Sequence, residues 1–340
     1  MSALRPVPSP GPRFAPRPAD FLGRAPAVER LLREARVAAR GSDRPILVTG
    51  AVGVGKSHLA RYVHALSARR ERALVFVDCG ALSERENELF GHRPGSFTGA
   101  VSTLRGRLAE AHGGTLVLDD FERLDHHQQD LLHRVLVDGA YYAVGGEAPE
   151  RVDARFIATT NKDVQVEVDA GRLKRDFVSR LDYFPLHVPS LSQRVDDLPV
   201  LCQELLRRNL EELVRKGLRA EADVRFDEDC WPALKARHFE DNVRGLDKLI
   251  VRLLAYVGDE RVITPAHIDA LAPALRPSTQ PWFDQPRPLR LVREAAERDY
   301  ILKVCLHANH NYRQVARILD ISPKALYARL RQYGIVRPGF

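Results

Sequence analysis

The chain has 340 residues, 44% of them apolar, and a formal net charge of +7. That length accommodates two or three domains with real cores, and the basic excess favours an anionic partner, nucleic acid first. No apolar run of about 18 residues and no signal-peptide-like stretch occurs, and Cys79, Cys202, Cys230 and Cys305 lack metal-ligand spacing. A membrane protein or a disulfide- or zinc-built scaffold is thereby excluded, and reduced thiols in the cytoplasm are expected.

Residues 1–20 hold six prolines and three arginines and are expected to be a disordered leader. A helical pattern over 26–40 follows, carrying Val28, Leu31, Leu32, Ala35 and Val37. Gly41-Ser42-Asp43 ends it.

The apolar run Ile46-Leu47-Val48-Thr49 predicts a strand. Gly50-Ala51-Val52-Gly53-Val54-Gly55-Lys56-Ser57 comes next, and then an amphipathic helical pattern with Leu59, Ala60, Tyr62, Val63 and Leu66. A strand, a glycine turn and a helix in this order form the context of a phosphate-binding loop. Glycines let backbone N–H groups curl toward phosphate oxygens, and the helix N-terminus adds positive dipole. Lys56 is expected to reach the β- and γ-phosphates of ATP, with the Ser57 hydroxyl on Mg²⁺.

Ala73 to Val77 reads as a buried strand ending at Asp78. Gly95-Ser96-Phe97-Thr98-Gly99-Ala100 reads as a tight loop tip. From composition alone, Phe97 folding back onto the core is the plainer reading. Thr115 to Leu118 predicts a strand capped by Asp119 and Asp120. Ligands gather at the carboxyl ends of parallel strands. Asp119 is therefore a candidate to hold Mg²⁺, and Asp120 to orient or deprotonate an attacking water.

A helix is expected over 125–138, with His126 and His127 solvated at its start rather than ligating metal. Arg155 to Thr160 predicts a further strand ending at Asn161, an amide placed to meet a γ-phosphate or the water. Gly171 to Arg180 is rich in basic residues, and a last strand covers 184–188. From 192 to 274 the pattern reads as helical only. A proline-rich linker over 275–290 precedes a basic helical module, 291–340, with nine Lys/Arg against four Asp/Glu. Two short helices around Asp320-Ile321-Ser322 suggest a helix-turn-helix. Lys324, Tyr327, Arg329 and Arg331 lie on its last helix, where basic side chains can meet phosphates or bases.

These residues resemble one family. Glu88-Leu89-Phe90-Gly91-His92 followed by Gly95 to Ala100 resembles the polymerase-contacting signature of bacterial enhancer-binding proteins, the activators of sigma-54 RNA polymerase. Asn242-Val243-Arg244 resembles their second sensor, and 311–335 their Fis-type DNA-binding module. The resemblance covers about residues 21–340. It implies an α/β AAA+ ATPase with a parallel sheet (21–191), a helical lid (192–274) and a small all-α helix-turn-helix domain. It also implies ATP with Mg²⁺, hexamers with a smaller resting form such as a dimer, enhancer DNA and sigma-54 polymerase as partners, and no membrane.

By the same resemblance, Gly95, Ser96, Phe97, Thr98, Gly99 and Ala100 contact sigma-54. Arg244 contacts phosphate, and the trans-acting arginines align with Lys174, adjacent Arg175, and Arg180. With only a short leader, the resemblance implies a stand-alone type controlled by a regulatory protein in trans. The chain departs from the family pattern at Ser96 (Ala), Asp120 (Glu), Asp78 (Asn), Lys174 (Arg) and Phe239-Glu240-Asp241 (Trp-Pro-Gly). The rival readings are a degenerate ATP- and DNA-binding regulator without remodelling activity, and an AAA+ replication or repair motor.

Overall fold

A computed structural model describes residues 21–82, 86–96, 102–218, 223–258, 260–271 and 312–332, with 293, 297–298, 300–301 and 304. The expected leader and linker lie outside the described residues. The chain divides into two units, Met1–Pro277 and Ser278–Phe340.

In the first unit, helix α1 (Pro26–Gly41) leads into β1 (Ile46–Thr49), and α2 (Lys56–Leu66) into β2 (Leu74–Asp78). Then come α3 (Glu86–Phe90), the hairpin β3 (Gly91–His92) and β4 (Leu104–Arg105), and α4 (Arg107–Glu110). Next, β5 (Thr115–Asp119) feeds a 3-10 turn, Phe121–Arg123, and α5 (His126–Asp138). A second hairpin, β6 (Ala140–Tyr141) and β7 (Glu150–Arg151), precedes β8 (Arg155–Thr160), α6 (Val164–Asp169), α7 (Arg175–Leu181) and β9 (Phe184–His187).

The five long strands form a parallel sheet in the order β2-β5-β8-β1-β9. Side chains alternate between its faces. Ile46, Val48, Val117 and Ile157 face α1 and α2, while Leu47, Leu116, Leu118, Phe156 and Ala158 face α5 and α7. Both faces are covered, which is why these strands read as unbroken apolar runs. Order also places the carboxyl ends of β5, β8 and β1 side by side. Buried Arg155 donates to the carbonyls of Ala38 and Ala39 at 2.6 and 3.0 Å, satisfying the last turn of α1.

A 3-10 segment, Leu191–Asp197, opens the second core. It is built from α8 (Leu198–Arg215), α9 (Cys230–Lys235), α10 (Asn242–Val257) and α11 (Pro265–Leu271). The all-helical expectation for 192–274 is corrected here. β10 (Arg225–Phe226) pairs in parallel with β11 (Val262–Ile263), and two-residue strands are too short to leave an alternating pattern. The hairpins β3–β4 and β6–β7 escaped sequence reading for the same reason. Among the described residues no helix is long and apolar enough to cross a membrane.

In the second unit, α12 (Tyr312–Ile318) and α13 (Pro323–Gln332) flank a turn with Asp320 at φ 51°. Ser322 Oγ accepts from the Ala325 amide at 3.2 Å, the expected cap. Val315, Ala316, Leu326 and Leu330 close a small core with Ile301 and Val304.

Candidate nucleotide site and partner surfaces

The loop after β1 turns on Gly53 (φ 73°) and Gly55 (φ 106°) into α2. Gly55 is the N-cap of α2 and brings no capping side chain, so the amides of the first turn face the loop as hydrogen-bond donors. Lys56 is buried, its Nζ donating to the carbonyls of Gly50 at 3.0 Å and Ala51 at 3.2 Å. Burial lowers its pKa from the ordinary lysine value, while the charges of Asp120, Asp119 and Glu122 oppose that shift.

Ser57 Oγ donates to Asp119 Oδ2 at 3.4 Å. The other oxygen of Asp119 accepts from the hydroxyl of Thr159, a fully buried residue of β8. A serine hydroxyl and a fixed carboxylate at the mouth of a phosphate loop are hard oxygen donors of the kind magnesium takes alongside phosphates. The residues present therefore fit that ion. Asp120 sits in the left-handed region (φ 52°, ψ 51°). Its Oδ1 accepts from the Asn161 amide at 3.3 Å, so the structure brings together Lys56, Ser57, Asp119, Asp120 and Asn161.

The lid closes over this loop. Asn242, also left-handed (φ 51°), donates from Nδ2 to Val52 O at 2.9 Å and accepts the Leu191 amide at 2.8 Å. The Arg244 amide meets Gly53 O at 3.3 Å, and its side chain is exposed. Buried Arg194 donates to Val54 O at 2.6 Å. Asp197 Oδ1 accepts the Arg24 and Ala25 amides at 2.5 and 2.9 Å, capping the entry to α1 in place of a local cap. Sequence reading missed Arg194 and Asp197 as parts of the site, and it placed Asn242 in the sensor-like motif without its bonds to Val52 and Leu191. The signal available for Asn242 was its place at the head of the sensor-like motif Asn242-Val243-Arg244.

The basic segment lies apart from these groups. Lys174 caps α7, its Nζ on both oxygens of Asp130 at 2.6 Å, and is therefore tied within its own chain. Arg175 stands 3.8 Å from Asp169, and Arg180 is exposed. His126, expected to be solvated, engages the Gly171 carbonyl through Nε2 at 2.8 Å.

Of the loop expected from the resemblance to contact polymerase, Gly95 (φ 79°) and Ser96 are described, and Phe97, Thr98, Gly99 and Ala100 lie outside the described residues. Ser96 Oγ donates to Arg93 O at 2.8 Å. The strand residue His92 bridges Val144, which ties this loop's hairpin to β6–β7. On α13, Lys324 and Tyr327 are exposed, and Tyr327 packs on Tyr312 with ring centroids 5.7 Å apart. The Arg329 guanidinium pairs with Glu297. The side chain of Arg331 lies outside the described residues.

A parallel sheet with a phosphate loop, paired strand-end carboxylates and a helical lid defines an AAA+ type of P-loop NTPase fold. Comparison with known proteins places it further. Residues 21–187 match the sigma-54 interaction domain and 292–333 the Fis family of bacterial regulatory proteins. The chain is 34% identical over 331 residues to the anaerobic nitric oxide reductase transcription regulator NorR of Citrobacter koseri, with 93% of this chain and 63% of that one aligned. It is 37% identical over 315 residues to the transcriptional regulatory protein ZraR of Salmonella typhimurium, with 91% of this chain and 68% of that one aligned. Crystal structures of NtrX from Brucella abortus, one in complex with ATP, share 28% identity at a TM-score of 0.65 and cover 92% of this chain and 69% of that one. The chain belongs to the sigma-54-dependent transcriptional activators, and it spans roughly two thirds of the length of these relatives.

Proposed function

We propose that this protein hydrolyses ATP and uses the energy to remodel the sigma-54 RNA polymerase closed complex from a site on upstream DNA. The observation that carries the reading is the gathering of Lys56, Ser57, Asp119, Asp120 and Asn161 over three adjacent strand ends. The NtrX complex with ATP lends the nucleotide assignment support.

In this reading the amides of Gly50 to Gly55 cradle the phosphates and Lys56 neutralises the β- and γ-oxygens. Ser57 and Asp119 hold Mg²⁺, whose chemistry is to offset charge on the transferring phosphoryl group. Asp120 and Asn161 orient the attacking water, and Arg244 reaches phosphate from the lid. Arg180, with Lys174 and Arg175 nearby, acts on a neighbouring subunit of a hexamer assembled from a smaller resting form, such as a dimer. Gly95 to Ala100 contact sigma-54. Lys324, Tyr327 and Arg331 meet enhancer DNA, with Arg329 buttressing the helix through Glu297. The protein works in the cytoplasm under a regulatory protein acting in trans.

Open-complex formation on a sigma-54 promoter tests this. Purified protein is expected to open the promoter with ATP and to fail with a non-hydrolysable analogue. Failure with both nucleotides, despite intact ATP and DNA binding, would leave a regulator without remodelling activity.

A further inference from the structure

Carboxylates hold many of the exposed arginines of this chain, as Glu204 and Glu211 hold Arg207 and Glu167 holds Arg172. The outer face of α1 and α2 is built differently. The helical period puts Arg33, Arg36 and Arg40 on one flank of α1 and Glu34 on the other. The arginine flank is the one beside α2, because Arg36 Nε donates to the hydroxyl of Tyr62, a buried residue of α2, at 3.1 Å. On α2 itself, Arg61 lays its guanidinium over the ring of Phe76, 4.3 Å from the centroid. All four arginines are exposed. Among the described residues only Glu29, 3.9 Å from Arg33, lies within ion-pair distance of any of them.

Neutral groups therefore set Arg36 and Arg61 in place. A phenol oxygen or an aromatic ring orients a guanidinium without cancelling its charge. The terminal N–H groups of Arg36 are left without an acceptor among the described residues. Such a stripe of fixed, uncompensated guanidiniums suits a row of anionic oxygens, and guanidinium matches phosphate in both charge and donor geometry.

The tether decides which anion. The basic module at 291–340 is joined to this unit by the chain itself, across the proline-rich stretch 275–290. Once that module is on DNA, the linked face meets neighbouring duplex at an effective concentration of about millimolar. That exceeds a dissociation constant of about 10⁻⁴ M for weak, sequence-independent phosphate contacts. A free acidic protein has no such advantage.

We infer that the α1–α2 face is a second DNA contact, in which Arg36, Arg40 and Arg61 meet backbone phosphates of duplex flanking the selected site. The inference rests on the DNA-binding reading above. The contact reads no sequence, since phosphates are the same at every step. Its binding releases counterions, so it steepens the salt dependence of the whole protein on DNA.

Salt-dependent binding by the full chain to two duplexes tests this. Both carry a site selected from random sequence by the parent protein. One just covers that site, and the other extends it by two helical turns of arbitrary sequence on each side. The combined variant Arg36→Gln, Arg40→Gln and Arg61→Gln is expected to bind the longer duplex about tenfold more weakly, with a salt slope lower by about 2 to 3. On the shorter duplex it should match the parent, and its unchanged affinity for a fluorescent ATP analogue would show that it is folded. The corresponding triple lysine variant should keep the steep slope. A longer-duplex affinity and slope equal to the parent's overturns the inference, as does an equal loss on both duplexes. Unaltered DNA binding together with lost binding to poly-L-glutamate would assign the face to an acidic protein and overturn it too. Lys324→Ala should weaken both duplexes alike. If it weakens neither, the reading of the helix-turn-helix fails, while the loss confined to the longer duplex still judges the face.

Discussion

The phosphate cradle and the basic segment from Lys174 to Arg180 are both rich in charge, yet they are built in opposite ways. In the cradle, Lys56 is buried and its charge is met by backbone carbonyls and three carboxylates of the same chain. On the segment, Arg175 and Arg180 are exposed, and Lys174 is held by the surface carboxylate Asp130. Exposed pairs of that kind contribute little to stability. The difference teaches which parts are preorganised within one chain and which await another molecule. Groups already desolvated and hydrogen-bonded act without reorganisation, whereas an exposed arginine gains strength only when a partner excludes water from it.

The sharpest way to break this contrast is at Arg180. Arg180→Ala is expected to lower kcat about a thousandfold and leave ATP affinity nearly unchanged, because an arginine supplied across subunits acts on charge that develops in the transition state. Mixing it with Lys56→Ala protein should restore part of the activity. Steady-state kinetics on mixtures with crosslink-verified mixed rings decides, and no recovery at any ratio would place Arg180 in its own site. Lys56→Ala should show the reverse signature, with analogue affinity down about 30-fold or more as the phosphates lose a desolvated point charge. Fluorescence titration measures it, and unchanged affinity would remove the lysine from the phosphate site.

Asp197→Ala probes how far the cradle depends on the lid. It orphans the Arg24 and Ala25 amides and leaves buried Arg194 without the nearby opposite charge. A loss of about 3 kcal/mol in urea unfolding is expected; a loss confined to a few tenths would show that water replaces the carboxylate freely. The smallest effect concerns His64 of α2, whose Nδ1 lies 2.9 Å from Thr115 Oγ1. Burial lowers its pKa below the ordinary 6.5. The unfolded chain therefore takes up the proton first. Stability from this residue is complete above about pH 6.5 and declines as pH falls below it. Thermal unfolding between pH 7.5 and 5 should fall less steeply for His64→Gln, and identical slopes would remove His64 from the acid response.

Much of this was legible in the sequence because local patterns carried it. β1, the glycine loop and α2 follow from an apolar run, a spacing and an amphipathic period within 21 residues. Asp119 and Asp120 stand out as acids ending an apolar strand, and Ser322-Pro323 marks the start of α13. What stayed hidden depends on chain segments far apart. Asn242 reaches Val52 across 190 positions, and Asp197 reaches Ala25 across 172. No periodicity encodes such pairs. The short strands of the hairpins and of the lid lie below the length at which alternation can be read.

Gly53 has a consequence for how the protein tolerates change. A Cβ placed there would lie 2.0 Å from the Asp241 carbonyl, inside the lid, and the residue's φ of 73° disfavours any side chain besides. Its neighbours Ala51 and Val52 are exposed. In a saturation library selected for folding alone, without nucleotide, position 53 should still admit only glycine while 51 and 52 drift. The constraint at that point of the loop comes from the fit between two halves of the molecule as much as from any phosphate.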